Sequence, residues 1–269
     1  MRNIFVGDVH GCSQELKELI NKLNLQQDDQ IVFIGDLIHK GPDSQGVLTY
    51  VLELMSTHKV DIICGNHEEK HLRWLKAEAR SLAANTKNEM QNVEEYSLIT
   101  ISDEVRDLMN STYIAKKYNS FTAVHGGIPS TLTDLEYLTH SEWMQAGGKR
   151  KKALGQIMRV RFLAGPGRTR INTKGQIKEV AEGKMLPLGH EQPGDPYWTD
   201  VYNGRFGTVV FGHNPFMQSE PMRSRHAYGI DLGCVHGGYL CALISEGQTT
   251  SYETVKAEKT YIPPIWLHK

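Results

Sequence analysis

The chain has 269 residues, which is enough for one large domain with a substantial buried core. Hydrophobic residues make up 39% and charged residues 23%, as in ordinary globular proteins. A net charge of −1 excludes the strongly basic composition of many proteins that bind nucleic acid or an anionic membrane surface. The apolar run at the N-terminus is too short for a signal peptide, and we expect no membrane span.

Strand and helix patterns alternate along the first third of the chain. Buried strands are predicted at residues 4–6, 31–34 and 60–64, with an amphipathic helix in each interval. Ser13 is expected to cap the first helix. This β-α-β-α-β order predicts parallel strands with right-handed crossovers. The second helix is expected to bury Val47, Leu48, Val51, Leu52 and Met55.

The rest of the chain is less uniform. Residues 68–118 are predicted as a helical insertion with an apolar stripe, and residues 131–200 as a glycine-rich and basic cap insertion. Short strand patterns in the last third predict an antiparallel second sheet. We therefore expect a single domain, residues 1–269, that carries these two insertions. The stripe of the helical insertion consists of Leu72, Leu75, Ala79 and Leu82.

Five short blocks place metal-binding residue types at the ends of hydrophobic runs. An α/β sheet positions its active site at the carboxyl ends of its strands, so we expect these blocks to converge. Asp, Asn and His suit divalent ions, and two ions roughly 3.5–4 Å apart can share one carboxylate and activate a water for phosphoester hydrolysis. Asp36 is the carboxylate expected to bridge. The blocks are Gly7-Asp8-Val9-His10, Gly35-Asp36, Gly65-Asn66-His67-Glu68, His125-Gly126-Gly127 and Gly212-His213-Asn214.

These blocks resemble the calcineurin-like metallophosphoesterases, and within them the phosphoprotein-phosphatase branch, whose motifs read GDxHG, GDxxxRG, GNHE, HGG and a later GH. Further strings are similar to bacterial diadenosine tetraphosphate hydrolases: GDLIHKGPDS at 35–44, MRVRF at 158–162, VVFGH at 209–213 and GIDLGCVHGG at 229–238. The resemblance covers roughly residues 4–245. It implies an α/β fold, a four-layer α/β/β/α sandwich of two mixed sheets flanked by helices, with a helical or irregular cap.

The resemblance also implies a ligand set for two divalent ions. Manganese is the expected metal, and iron, zinc or cobalt are alternatives that the same donors accept. His67 would act as the general acid on the leaving oxygen. The first ion would be held by Asp8, His10 and Asp36, and the second by Asp36, Asn66, His125 and His213.

The chain departs from the family pattern at two positions. Lys40 stands where the family has a phosphate-gripping arginine, which keeps the charge and loses the bidentate fork. His39 stands where protein phosphatases place an acidic partner beside the catalytic histidine. The expected substrate contacts are Lys40, Asn66 and one of Arg159 and Arg161, whose spacing predicts a shared strand face, although arginine pairs are as often surface charge.

Other residues have a bland interpretation beside a functional one. His236 repeats an HGG string but is expected to support the ligands from behind or to pack in the core rather than to bind metal, and His71 and His140 lie in no motif. The basic run 149–152 is a solvated loop or a guide for polyphosphate. Trp198, with Tyr197 and Tyr202, could stack on a nucleobase or pack in the core.

The leading functional hypothesis is hydrolysis of dinucleoside polyphosphates, diadenosine tetraphosphate to two ADP, by attack of a metal-bound hydroxide on phosphorus. The alternative is a bacterial Ser/Thr or Tyr protein phosphatase that uses the same site. A nucleotide sensor without catalysis and an enzyme acting on capped RNA ends are weaker hypotheses. The substrate is therefore a nucleotide or a phosphorylated molecule, with neither a membrane nor nucleic acid indicated. Four cysteines with no CxxC spacing predict a reducing, cytoplasmic location: Cys12, Cys64, Cys234 and Cys241.

Overall fold

The computed structural model describes residues 1–86, 96–171 and 176–264. Two five-stranded sheets dominate this part of the chain, in the orders β12-β11-β1-β2-β3 (sheet one) and β4-β5-β8-β10-β9 (sheet two). The strands of sheet one are β1 (Asn3–Val6), β2 (Gln30–Phe33), β3 (Lys59–Ile62), β11 (Tyr239–Glu246) and β12 (Thr249–Lys256). The strands of sheet two are β4 (Ala115–Tyr118), β5 (Phe121–Val124), β8 (Thr208–Phe211), β9 (Met222–Ser224) and β10 (Ala227–Gly229).

Helices and a small hairpin complete the described elements. The hairpin pairs β6 (Thr169–Ile171) with β7 (Ile177–Glu179), and a 3-10 turn covers Cys234–His236. The helices are α1 (Ser13–Leu23), α2 (Ser44–Thr57), α3 (Asn66–Ala83), α4 (Asp103–Ser111), α5 (His140–Gln145), α6 (Gly148–Gln156) and α7 (Trp198–Val201).

The alternation of side chains along each strand arranges the layers. In β1, Ile4 and Val6 face the helices α1 and α2, whereas Phe5 faces the other sheet. Between the sheets, Phe5 joins Val32 of β2 and Val210 of β8 in one apolar cluster. A third cluster covers the outer face of sheet two. The predicted four-layer α/β/β/α sandwich with two mixed sheets is confirmed.

The first third of the chain follows its predicted order. β1, β2 and β3 are parallel neighbours, and α1 and α2 connect them. Two local predictions are wrong. The Ser13 hydroxyl does not cap α1, because it donates to the Asp43 carboxylate, which itself caps α2. Met55 is 41% exposed, and Leu54 is buried in its place.

The predicted antiparallel second sheet in the last third is also wrong. β11 and β12 form a hairpin that extends sheet one antiparallel to β1. β8 and β10 run parallel to β5 in sheet two, where only the outer strands β4 and β9 are antiparallel to their neighbours. The alternating pattern of a strand records its two faces and not the sheet that it joins.

The two predicted insertions have defined positions in the sandwich. α3 buries Glu68, His71 and Trp74 rather than the predicted leucine stripe, and Leu82 is 73% exposed. β4, the first strand of sheet two along the chain, begins at Ala115, before the predicted end of the helical insertion at residue 118. The segment 131–200 contains α5, α6, the β6–β7 hairpin and α7. Its apolar residues supply the fourth layer over sheet two, among them Ile157, Met158, Val160, Leu163 and Trp198.

In the part of the chain that the structure describes, no helix combines the length and the apolar character that crossing a membrane requires. All four cysteines are buried and carry free thiols.

Candidate metal centre

The strand order brings the five sequence blocks to one edge of the sandwich. β1, β2 and β3 are adjacent and parallel, so the residues that follow them, Asp8, Asp36 and Asn66, emerge side by side. β5 and β8 are parallel neighbours in sheet two and deliver His125 and His213 in the same way. Backbone hydrogen bonds hold the loops together: the amide of His10 donates to the carbonyl of Asp36 at 2.8 Å, and Gly212 donates to His125 at 2.8 Å.

Asp36 lies at the middle of the converged side chains. Its Oδ2 atom is 3.3 Å from His125 Nε2, 3.6 Å from His10 Nε2 and 4.0 Å from His67 Nε2. Asn66 Oδ1 is 3.3 Å from His125 Nε2. Two groups of donor atoms, each within 4.8 Å of one another, share this one carboxylate: His10, Asp36 and His67 form the first, and Asp36, His125 and His213 the second.

The histidine rings present their Nε2 atoms to this centre. His10 Nδ1 lies 3.2 Å from the carbonyl of Ile38 and His125 Nδ1 lies 2.7 Å from the carbonyl of Ile34, so both Nδ1–H groups donate to the backbone. Fixing one ring nitrogen in this way is how proteins orient metal-binding histidines. His213 Nε2 is buried and has no hydrogen-bond partner among the described residues. A buried nitrogen lone pair of this kind, beside carboxylate and amide oxygens, fits a divalent cation.

The electrostatics of the centre follow from burial and crowding. Burial alone would raise the pKa of Asp36, but His125 and His67 outweigh it and lower that pKa well below its ordinary value. Burial would lower the pKa of His125, and the carboxylates of Asp36 and Asp8 instead raise it to about 9. Burial lowers the pKa of His10 and His213 well below the ordinary value. The centre therefore combines the charged carboxylate of Asp36 with neutral imidazoles at His10 and His213 and a protonated imidazole at His125, whose proton a bound cation would replace.

Backbone strain is concentrated at the same place. Five of the nine non-glycine residues with positive φ in the described chain belong to these loops: His10, Asp36, His39, Lys40 and His213. Such conformations are costly for most residues and persist only where the surroundings enforce them. Glycines make the crowding possible, because a Cβ at Gly212 would overlap Asp8 Oδ1 and one at Gly65 would overlap Asp36 Oδ1.

Sequence reasoning missed the role of Glu68. Its buried carboxylate accepts hydrogen bonds from the amides of Asp36 at 2.8 Å, Leu37 at 2.8 Å and Gly65 at 2.9 Å. It therefore ties the β2 loop to the start of α3 and sets the position of Asp36. The GNHE string contained this residue, but the spacing gave no indication of what its side chain contacts.

The two basic residues expected near phosphate differ in position. Arg161 is half-buried beside the centre, where its guanidinium donates to the carbonyl of His213 at 2.9 Å and to Asn214 Oδ1 at 3.1 Å. Arg159 instead pairs with Glu69 of α3 at 2.6 Å. The prediction that both arginines share a strand face is wrong, because Arg159 lies in a turn before the extended segment that carries Arg161.

Lys40 lies within the first donor group. Its half-buried ammonium is 2.9 Å from Nε2 of His10, a residue that the family resemblance assigns to a metal ion. A cation bound at His10 would repel this ammonium toward neighbouring anionic groups.

Three other sequence candidates make contacts outside the two donor groups. Trp198 is fully buried and packs against Phe211 at 4.8 Å between ring centroids, so it belongs to the core. Arg150, from the basic run, pairs with Glu136 at the surface. His236 Nδ1 lies 2.8 Å from the carbonyl of Ile262.

Comparison with known proteins agrees with this geometry. The family model described as calcineurin-like phosphoesterase matches residues 1–217. The chain is 29% identical over 265 residues to the asymmetrical bis(5'-nucleosyl)-tetraphosphatase PrpE of Oceanobacillus iheyensis, with 90% of this chain and 88% of the relative covered. It is 26% identical over 263 residues to the symmetrical bis(5'-nucleosyl)-tetraphosphatase of Proteus mirabilis, with 90% and 94% covered.

A solved structure assigned provisionally to the diadenosine tetraphosphatases superposes with a TM-score of 0.61. It is 23% identical in sequence, and the match covers 94% of this chain and 93% of that one. This likeness concerns the fold.

Proposed function

The chain belongs to the calcineurin-like phosphoesterase family, and from that premise we propose that it is a dinuclear-metal hydrolase of dinucleoside polyphosphates, cleaving diadenosine tetraphosphate to two ADP. The observation that carries the hydrolase is Asp36, whose buried carboxylate is common to two groups of donor atoms. The substrate class is supported by relatives that are named bis(5'-nucleosyl)-tetraphosphatases and match over 90% of the chain.

The donors suit two ions of intermediate hardness, and manganese is the metal we propose. When bound, such a pair polarises phosphoryl oxygens and lowers the pKa of a water that attacks phosphorus. The proposed ligands of the first ion are Asp8, His10 and Asp36, and those of the second are Asp36, Asn66, His125 and His213.

The protein's own side chains hold the substrate and its leaving group. Arg161 already points its guanidinium at the loop of His213, within reach of a phosphoryl oxygen beside the centre. Lys40, repelled from His10 by a bound cation, would contact a non-bridging oxygen as a point charge. Water adds to one phosphorus, and the bridging oxygen leaves as part of the departing nucleotide. His67, with Nε2 toward Asp36, would donate to that oxygen as it leaves.

A product assay tests this proposal. Manganese-loaded protein is incubated with diadenosine tetraphosphate and, separately, with a phosphoserine peptide, and the products are separated by anion-exchange chromatography. We expect ADP as the sole nucleotide product and a much lower kcat/KM on the peptide. ATP and AMP in equal amounts would mean asymmetrical cleavage. Preference for the peptide would replace the proposal with a protein phosphatase.

We also propose a cytoplasmic location, supported by four free and buried cysteines. Localisation of the tagged protein by cell fractionation tests this. Recovery with an oxidising extracytoplasmic fraction would contradict it.

A further inference from the structure

Three histidine rings form a hydrogen-bonded chain that leads away from the candidate metal centre. His67 Nδ1 is 3.0 Å from His39 Nδ1, and His39 Nε2 is 3.0 Å from His71 Nδ1. His39 comes from the loop after β2, whereas His67 and His71 lie four residues apart on one face of α3. Tyr96 packs against His39 and His71, at 4.7 Å and 5.4 Å between ring centroids.

Each link in this chain needs one donor and one acceptor. A neutral imidazole carries one N–H and one bare nitrogen, so the proton position on one ring dictates the position on the next. His39 and His71 are held neutral, because burial lowers the pKa of His39 to about 2 and that of His71 to about 4. The chain therefore has two possible directions, and the groups at its ends decide between them.

Both ends favour the same direction. His71 Nε2 is buried and has no hydrogen-bond partner among residues 1–86, 96–171 and 176–264. A buried N–H without a partner is rarer and costlier than a bare acceptor, so the proton of His71 belongs on Nδ1. At the other end, His67 Nε2 faces the Asp36 carboxylate at 4.0 Å, which favours an N–H there over a lone pair.

We propose that His39 is a positioning residue that donates its Nδ1–H to His67 and so holds His67 in the tautomer with its proton on Nε2, facing the metal centre. His71 sets the direction by donating its own Nδ1–H to His39. This inference rests on the proposed function for its purpose, since the Nε2–H of His67 is the group offered to the leaving oxygen.

The hydrogen bond between position 39 and His67 therefore runs in the direction opposite to the one expected from the family pattern. An acidic residue at position 39 could only accept, and it would keep a proton on Nδ1 of His67. His39 instead donates, and it leaves the single proton of His67 on the side of the substrate. A histidine at position 39 thus reverses the hydrogen bond to His67 and still provides His67 with a partner.

Nitrogen-15 NMR of the protein labelled at histidine tests the proposal directly, because a protonated and a bare ring nitrogen have widely different shifts. The protein is loaded with Zn²⁺, which is diamagnetic. We expect the proton on Nε2 of His67, on Nδ1 of His39 and on Nδ1 of His71. A proton on Nδ1 of His67 overturns the proposal, and so does one on Nε2 of His71.

An isosteric pair of variants at position 39 sharpens the test. Asn and Asp both tolerate the backbone φ of 71° found at His39 and place a polar atom where Nδ1 was. His39→Asn can donate and should keep the proton of His67 on Nε2. His39→Asp can only accept and should move the proton of His67 to Nδ1. The signals of His140, a buried histidine that is not one of the three hydrogen-bonded rings, should stay unchanged.

Identical His67 tautomers in the two variants overturn the proposal. Should His39→Asp fail to fold, the wild-type spectrum and His39→Asn still decide. The measurement needs no substrate, so it is independent of the product assay. If the protein failed to hydrolyse diadenosine tetraphosphate, the proposed function would be wrong, but the tautomer result would still hold.

Discussion

The edge of the sandwich and its interior are both buried, but they are built from opposite chemistry. At the edge, Asp8, Asp36 and His125 are 3% exposed or less, and Asp36 Oδ2 lies only 3.3 Å from His125 Nε2. Between the sheets, Phe5, Val32 and Val210 are fully buried and wholly apolar. Burial of charge opposes folding, whereas burial of apolar surface favours it. The interior therefore stabilises a fold that holds a strained and polar edge in place.

This contrast predicts that activity and stability respond to different substitutions.

Asp36→Asn should remove nearly all hydrolytic activity while the free energy of unfolding changes by only about 1 kcal/mol. The Asn carbonyl can still accept the hydrogen bond that the His67 amide donates to Asp36 Oδ1 at 2.9 Å, but it cannot bridge two cations. Turnover, bound manganese and urea unfolding are measured together. Chelation of the wild-type protein is the control and should abolish activity reversibly without melting the fold. Loss of folding on chelation would show that the metals are structural.

His67→Asn should slow turnover of diadenosine tetraphosphate by roughly 10²–10⁴-fold, the usual scale for proton donation in catalysis, with both metals retained. The reason is the loss of the N–H that faces Asp36 and would meet the leaving oxygen. The loss should be smaller for p-nitrophenyl phosphate, whose leaving group needs little protonation. Equal losses on the two substrates would mean that His67 orients the substrate instead.

Phe5→Ala should lower the free energy of unfolding by about 3–5 kcal/mol, the cost of deleting a large core side chain. Phe5 lies between the sheets and contacts Tyr118 and Phe121, with ring centroids 5.5 Å and 5.7 Å away. The kcat of the folded fraction should stay within about threefold of the wild-type value, because β1 keeps its backbone pairing on both sides. A collapse of kcat in fully folded protein would break the separation between edge and interior.

Lys40→Met should cost about 2–4 kcal/mol of transition-state stabilisation, similar to the loss of one oxyanion donor. The bound manganese should not fall, since the variant removes an ammonium that lies 2.9 Å from His10 Nε2. Lys40→Arg is the matched control and should keep or raise kcat, because it restores the fork of the family. Turnover at the wild-type rate in Lys40→Met would mean that Arg161, and not Lys40, contacts the phosphate.

The local patterns predicted many of the strands and helices, but they predicted the pairing of strands correctly only in the first third of the chain. Strand and helix positions in the first third, and the burial of Leu16 and Leu19 in α1, follow from periodicity. The buried face of α3 did not follow from periodicity, because Glu68 and His71 are buried for their polar contacts, whereas Leu82 of the predicted stripe is 73% exposed. The spacing of Arg159 and Arg161 likewise predicted one environment for both, but the turn at Arg159 leads its guanidinium to a part-buried ion pair with Glu69, whereas Arg161 lies beside the centre.

The residue types at the strand ends and their order can be read from the sequence alone, because each block lies within a few residues of its strand. Tertiary structure decided which blocks meet. The β11–β12 hairpin joins sheet one rather than sheet two, and His39 meets both His67 and His71 across two elements. These contacts join residues about 30 to 240 positions apart, and they depend on sheet pairing and the packing of whole layers, which no local periodicity records.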